Sequence, residues 1–83
     1  MAKTIKYSPE SEHVILAKQE VTEMGLQYTT WNQARDMLRD GRLTPEQFNF
    51  FDDAWTVGTY RFSVANWRID DAHKRLRKRY NLD

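Results

Sequence analysis

The stretch Gly41-Arg42-Leu43-Thr44-Pro45-Glu46-Gln47-Phe48 decides the fold, because it holds the strongest helix-start signal in the chain. Thr44 and Gln47 have the spacing of a capping box, in which each side chain satisfies a backbone N–H of the other residue. Pro45 suits the first helical position. The leucine before the box and the phenylalanine after it are placed to form a hydrophobic staple. The stretch therefore predicts a tight turn between two antiparallel helices.

A second helix precedes this turn. Thr30 and Gln33 form another capping box, and Gly41 stands where a left-handed residue commonly ends a helix. Apolar residues at helical spacing lie between these signals. We therefore predict a helix over 31–40, running back along the start of the helix that follows the turn.

A first helix is predicted over 9–24. Ser8-Pro9-Glu10 has the composition of a cap followed by a first turn, and Gly25 is placed to end the helix. Residues 1–7 carry no such signal, and we expect them to be an extended or disordered arm.

After the turn, apolar and small residues alternate at spacings of three and four, which is typical of a helix packed along its length. These positions are Phe48, Phe51, Trp55, Gly58, Phe62, Ala65, Ile69, Ala72 and Leu76. Because the phase does not slip at Gly58, one helix over 45–80 is predicted, with the small residues allowing close approach of a neighbouring helix. The alternative is a break into 45–56 and 60–80, because residues 56–60 are mostly poor helix formers.

The long helix carries more apolar surface than two short helices can cover. A second stripe on it predicts self-association, through Phe50, Val57, Tyr60, Val64 and Trp67. The expected fold is therefore all-α: a single domain built as an antiparallel hairpin or three-helix protomer, assembled into an oligomeric helical bundle, most simply a homodimer. For the first line of apolar and small positions, from Phe48 to Leu76, two alternatives are open: ordinary core packing within one subunit, or a contact shared between subunits.

Composition excludes several classes of protein. The chain has 83 residues, a net charge of +1 and no cysteine, which excludes disulfides, thiol catalysis and cysteine-ligated metals. Its longest aliphatic run, residues 14–17, is far shorter than a membrane span, and its start lacks the apolar segment of a secretory signal. We expect a cytoplasmic protein that does not bind membranes.

Catalytic chemistry is not indicated. Glu10 with His13, and Asp70 with His73, are acid–histidine pairs three residues apart, as used in the metal sites of some helical bundles. No further pair of glutamates is placed to complete such a site, so a metal protein is only a remote alternative. Serines and histidines have no triad spacing, and no phosphate-binding loop occurs. The expectation is a protein that is not an enzyme and has no cofactor.

The end of the long helix is basic. The candidate partner-binding residues are Lys74, Arg75, Arg77, Lys78 and Arg79. They suit an acidic protein surface or nucleic acid phosphates, although cations at a helix C-terminus are also favourable on their own. The functional expectation is a non-enzymatic interaction module, an adaptor or a regulator or inhibitor of a larger protein. The alternative is a nucleic-acid-binding regulator using helix residues 73–80.

Residues 37–48, Met-Leu-Arg-Asp-Gly-Arg-Leu-Thr-Pro-Glu-Gln-Phe, resemble the hairpin of SHOCT (short C-terminal) domains. The shared features are a leucine-bearing helix, a glycine, a Thr-x-Glu turn and a phenylalanine. The resemblance implies a capped helical hairpin at this turn, and it covers these twelve residues alone. The predicted long helix after the turn departs from that family.

Overall fold

The computed structural model describes residues 11–59 and 66–82, and within them the chain is all-helical. The helices are α1 (Glu12–Glu23), α2 (Trp31–Arg39), α3 (Pro45–Thr59) and α4 (Asn66–Arg79). The all-α class is thus confirmed for these residues, with four helices in place of the predicted three. The predicted arm over 1–7 lies outside the described residues.

Both predicted capping boxes form. The backbone N–H of Gln47 donates to the Thr44 hydroxyl at 3.1 Å, and the Thr44 N–H donates to the Gln47 side-chain oxygen at 2.9 Å. The same pair of bonds joins Thr30 and Gln33, at 3.2 and 3.0 Å. Four N–H groups that helix starts leave without an intrahelical acceptor are satisfied in this way, which explains why α2 and α3 begin where predicted.

Three helices end in the same left-handed motif. Gly25, Gly41 and Asn81 have φ angles of 76°, 81° and 58°. After α1, the Gly25 N–H donates to the Thr22 carbonyl and the Leu26 N–H to the Val21 carbonyl, the two bonds of a Schellman motif. Equivalent bonds follow α2 and α4. The glycines were predicted to act as helix ends, whereas Asn81 was not recognised.

The start of α1 corrects the sequence-based boundary. The helix begins at Glu12, and its N-cap is Ser11, with φ −60° and ψ 142°. The Ser11 carbonyl accepts from the N–H groups of Val14 and Ile15, so it supplies the first helical acceptor. The predicted cap, Ser8-Pro9-Glu10, lies outside the described residues.

The prediction of one helix over 45–80 is corrected by the packing of α4 against α3. Arg75 and Asp53 are 22 positions apart, yet the guanidinium donates to the carboxylate at 2.8 and 2.9 Å. One straight helix would separate them by about 33 Å. α3 continues through Gly58 and ends at Thr59, among the poor helix formers identified in the sequence. Because α3 and α4 run antiparallel, their apolar stripes pack against each other in one chain.

α3 lies at the centre of the fold. It contacts α1, α2 and α4, while α1 also contacts α4 and α2 packs on α3 alone among the described helices. The core between α1, α3 and α4 consists of Val14, Ala17, Phe50, Val57, Ala72 and Leu76. A second core, beside α2, consists of Leu26, Ala34, Leu43 and Phe51. The Trp31 indole fastens α2 to α3 by donating to the Asp52 carboxylate at 2.8 Å.

Candidate interaction surface

The predicted self-association residues do not form one surface. Phe50 and Val57 are only 6% and 1% exposed, because α1 and α4 cover them within the same chain. Phe50 and Val57 therefore need no second copy of the chain to be buried, and self-association stays a prediction. Tyr60 and Val64 lie outside the described residues. Trp67 alone of the set is shown at the surface, with 66% of its area exposed.

The basic segment divides into tethered and exposed side chains. The Arg75 guanidinium donates two hydrogen bonds to the Asp53 carboxylate, and these bonds raise the pKa of the guanidinium. Asp53 is buried while Arg75 is largely exposed. The pair therefore joins α3 to α4, and Arg75 is held by this contact within the chain.

Arg79 is tethered to α1. It pairs with Glu20, which also accepts from the Tyr80 hydroxyl at 2.8 Å, and its guanidinium lies 4.3 Å from the centre of the Phe50 ring. The Arg79 hydrogen bond lowers the pKa of the Glu20 carboxyl, against the opposing effect of burial. Burial, followed by the bond to Glu20, raises the pKa of Tyr80. These contacts close the end of α4 onto α1.

Arg77 contacts the backbone just after the end of α4. Its guanidinium donates to the carbonyl of Leu82, so it caps the last turn of α4 together with the left-handed Asn81. Three of the five predicted partner-binding residues are thus held by contacts within the chain. The signal that could have indicated this was the presence of acidic residues at Glu20 and Asp53, but their distance in sequence concealed the pairing.

Lys74 and Lys78 are both exposed, and they share one face of α4 with Trp67. Positions 67, 71, 74 and 78 are spaced by four, three and four residues, which places them on one line along a helix. The line is about 16 Å long from the indole to the last lysine. We call Trp67, Lys74 and Lys78 the α4 stripe. Asp71, half-buried, lies within it.

The two histidines predicted as members of acid–histidine pairs meet each other. Nε2 of His13 and Nδ1 of His73 are 2.8 Å apart, and both residues are at least 98% buried. Desolvation lowers the pKa of His13, with a further contribution from Arg77. Desolvation, followed by the neighbouring His13, lowers the pKa of His73 to about 4, although Asp70 opposes the change. The contact therefore joins two neutral imidazoles across the α1–α4 interface.

A metal centre is not assembled around this pair by the residues that can be described. Across 11–59 and 66–82, no three histidine, aspartate or glutamate side chains come together in a way that would hold a metal ion. Glu10, the predicted companion of His13, lies outside those ranges. No helix within them combines the length and apolarity needed to cross a bilayer.

An apolar groove lies on the other side of α1. It has a volume of about 330 Å³ and runs between the second half of α1, the α1–α2 connection and α3. Its apolar lining consists of Val21, Leu26, Phe51, Ala54 and Trp55. The sequence analysis placed Phe51 and Trp55 among the packed positions of the long helix and did not identify the groove, because a groove between α1 and α3 depends on how distant parts of the chain pack.

Comparisons with protein-family models, curated proteins and solved structures find no match to this chain. The twelve-residue resemblance to SHOCT domains therefore remains a likeness of the α2–α3 turn.

Proposed function

We propose that this protein is a non-enzymatic interaction module of the cytoplasm, acting as an adaptor or regulator of a larger protein. Its binding element is the α4 stripe, and its partner is an acidic protein segment that also offers an apolar side chain. The observation that carries the proposal is the alignment of a largely exposed tryptophan with two exposed lysines on one helix face. Exposed tryptophan is costly in water and is enriched at the energetic centres of protein interfaces.

An acidic protein segment fits the stripe better than nucleic acid does. Asp71 lies between Trp67 and Lys74, and every phosphate placed along the line would meet its negative charge. A protein partner can place a hydrogen-bond donor or a cation there instead. With Arg75, Arg77 and Arg79 held by contacts within the chain, Lys74 and Lys78 are the cations of the basic segment 74–79 that remain for phosphate contacts, and phosphate affinity scales with the number of such contacts.

The helix that carries the stripe is held in place by contacts on its other faces. Ala72 and Leu76, on the opposite face of α4, are each 1% exposed, so the helix is anchored by its core face. The Arg75–Asp53 and Arg79–Glu20 pairs fix its rotation at two points. A surface presented by an anchored helix loses little conformational entropy on binding.

The test compares two charge-reversed proteins. Lys74→Glu with Lys78→Glu alters the stripe, and Arg39→Glu with Arg42→Glu makes the same change in net charge on exposed residues of the α2 end. The probe is a labelled synthetic peptide of alternating glutamate and leucine, followed by fluorescence anisotropy. We expect the stripe variant to bind at least tenfold more weakly than the natural chain, and the control to bind normally, because attraction becomes repulsion across the interface.

Two results would overturn the proposal. One is equal peptide affinity for both variants. The other is tight binding of a single-stranded oligothymidine with a steep dependence on salt, which would favour the nucleic-acid alternative.

A further inference from the structure

The groove between α1 and α3 is a second surface, on a different part of the fold from the α4 stripe. Phe51 is buried at its base, and Trp55 is half-buried along its wall. The remaining lining residues are mostly neutral. A concave, apolar strip at a helix–helix junction is a common form of binding site in helical proteins.

Gly58 lines the groove, and no contact with the described residues explains why a glycine stands there. A Cβ atom built there would meet nothing within 4 Å, and its φ is not in the left-handed region that favours glycine. Glycine inside a helix costs about 1 kcal/mol relative to alanine. Neither close packing nor backbone geometry offsets this cost here. Among residues 11–59 and 66–82, no helix makes the close approach to Gly58 that the sequence predicted.

An occupant of the groove would account for the glycine. A bare backbone at Gly58 leaves room for a helix to approach α3 closely, as small residues do at tight helix–helix contacts. The wall opposite is α1, where Val21 offers an apolar surface. The described residues that line the groove belong to α1, the α1–α2 connection and α3, with no strand edge among them, so the groove suits a helix that packs ridges into grooves better than it suits an extended peptide.

The side chains at the edge of the groove indicate the chemistry of the helix that would bind there. Lys18 is the charged residue among those that line it, and it is exposed. Tyr28 lies in the connection between two lining residues, Gln27 and Thr29, and is 90% exposed. Tyrosine combines apolar area with a polar end and is enriched at interfaces. The rim therefore offers one cation and one aromatic side chain beside an apolar floor.

We propose that the α1–α3 groove binds an amphipathic helix of a partner protein, with its apolar face against Trp55 and Gly58 and an acidic residue opposite Lys18. The occupant completes a helical bundle on a side that residues 11–59 and 66–82 leave uncovered. Binding here is independent of the α4 stripe.

The experiment plugs the groove without weakening the helix. Gly58→Leu fills the open space, whereas Gly58→Ala adds one methyl group and serves as the matched control. The probe is a helical peptide with leucines at positions i, i+3, i+4 and i+7 and glutamates beside them, and its partner probe has lysines in place of the glutamates. We expect the natural chain and Gly58→Ala to bind the acidic peptide, and Gly58→Leu to bind it at least tenfold more weakly while melting no lower than the natural chain.

A second variant tests the charge. Lys18→Glu should reverse the preference, so that the lysine-flanked peptide binds more tightly than the glutamate-flanked one. Gly58→Leu and Gly58→Ala are also compared in the Lys74→Glu, Lys78→Glu background, where the α4 stripe repels the acidic peptide, so that binding there reports the groove alone and separates failure of this inference from failure of the proposed function. Equal affinity of the natural chain and Gly58→Leu would overturn the inference. So would a concentration-dependent dimer that Gly58→Leu abolishes, because the occupant would then be a second copy.

Discussion

At the scale of single residues, tertiary contacts decide which charged and polar side chains are available. Arg75 and Lys74 are neighbours in sequence, yet one is held by a buried carboxylate and the other projects into solvent. Distance in sequence likewise concealed the contact between the two histidines, which lie 60 positions apart and meet in the buried interface of α1 and α4. A run of charged residues in the sequence therefore does not show which of its side chains are available to bind a partner.

The Arg75–Asp53 pair should contribute measurably to stability. Arg75→Met removes the bidentate partner of a buried carboxylate, and we expect unfolding to become easier by about 1–2 kcal/mol, less than for a fully buried pair because solvent screens the arginine. Lys74→Met, one residue away and exposed, should change stability by less than about 0.5 kcal/mol. Urea denaturation of both variants measures the difference. Equal losses would mean that the pair does not hold α4 in place.

The histidine pair should make the fold sensitive to acid. Because folding lowers the pKa of His73 to about 4, from 6.5 when unfolded, the unfolded chain binds more protons between these values. The stabilisation is thus complete above pH 6.5 and declines as the pH falls toward 4, by at most about 3 kcal/mol for this residue. The chain has two histidines, so the His13→Gln, His73→Gln double variant removes the effect. Urea denaturation from pH 4 to 7.5 should show a flatter pH profile for that variant, and parallel profiles would contradict the prediction.

At the scale of elements, the ends of the helices follow local chemistry. Each capping box forms where Thr and Gln stand three residues apart, and each of the left-handed glycines ends a helix. These interactions join residues at most six positions apart, so they need no tertiary contact. Gly58 does not follow this pattern, because it is an ordinary helical residue within α3 and does not end the helix.

Two glycine substitutions should therefore change stability in opposite directions. Gly41→Ala forces a methyl group onto a residue with φ 81° and should cost about 1 kcal/mol. Gly58→Ala meets no described atom and should stabilise the chain by about 0.5–1 kcal/mol, through helix propensity. Thermal melting of both proteins provides the measurement. A loss at Gly58 would show that its backbone or its space is already in use.

At the scale of the whole molecule, the antiparallel packing of α3 and α4 is the decisive arrangement. Glu46 and Arg79 line the same surface depression, so the start of α3 lies near the end of α4. On one straight helix, residues 46 and 78 would be about 48 Å apart. The folded-back arrangement also places Phe50 and Val57 of α3 in one core with Ala72 and Leu76 of α4.

Spin labels can distinguish the two arrangements directly. The chain has no cysteine, so Glu46→Cys with Lys78→Cys gives two unique labelling sites, both exposed. Pulsed electron resonance should give a distance below about 25 Å in protein diluted with an excess of unlabelled chain. A distance near 48 Å would restore the continuous helix and imply that α4 packs on another copy. Light scattering on the same samples measures self-association, which stays a prediction.

The sequence by itself determined the all-helical class, the α2–α3 turn and the helix ends, because these depend on bonds between residues close in the chain. It also indicated an apolar stripe with an unbroken phase through Gly58. Only the tertiary structure decided that α3 and α4 fold back on each other, since the same apolar stripe can be buried either against a second copy or within the chain itself. It likewise decided which cations stay exposed, because Glu20 and Asp53 meet their arginines across 59 and 22 positions. Pairings at such separations depend on the path of the chain, which local patterns do not encode.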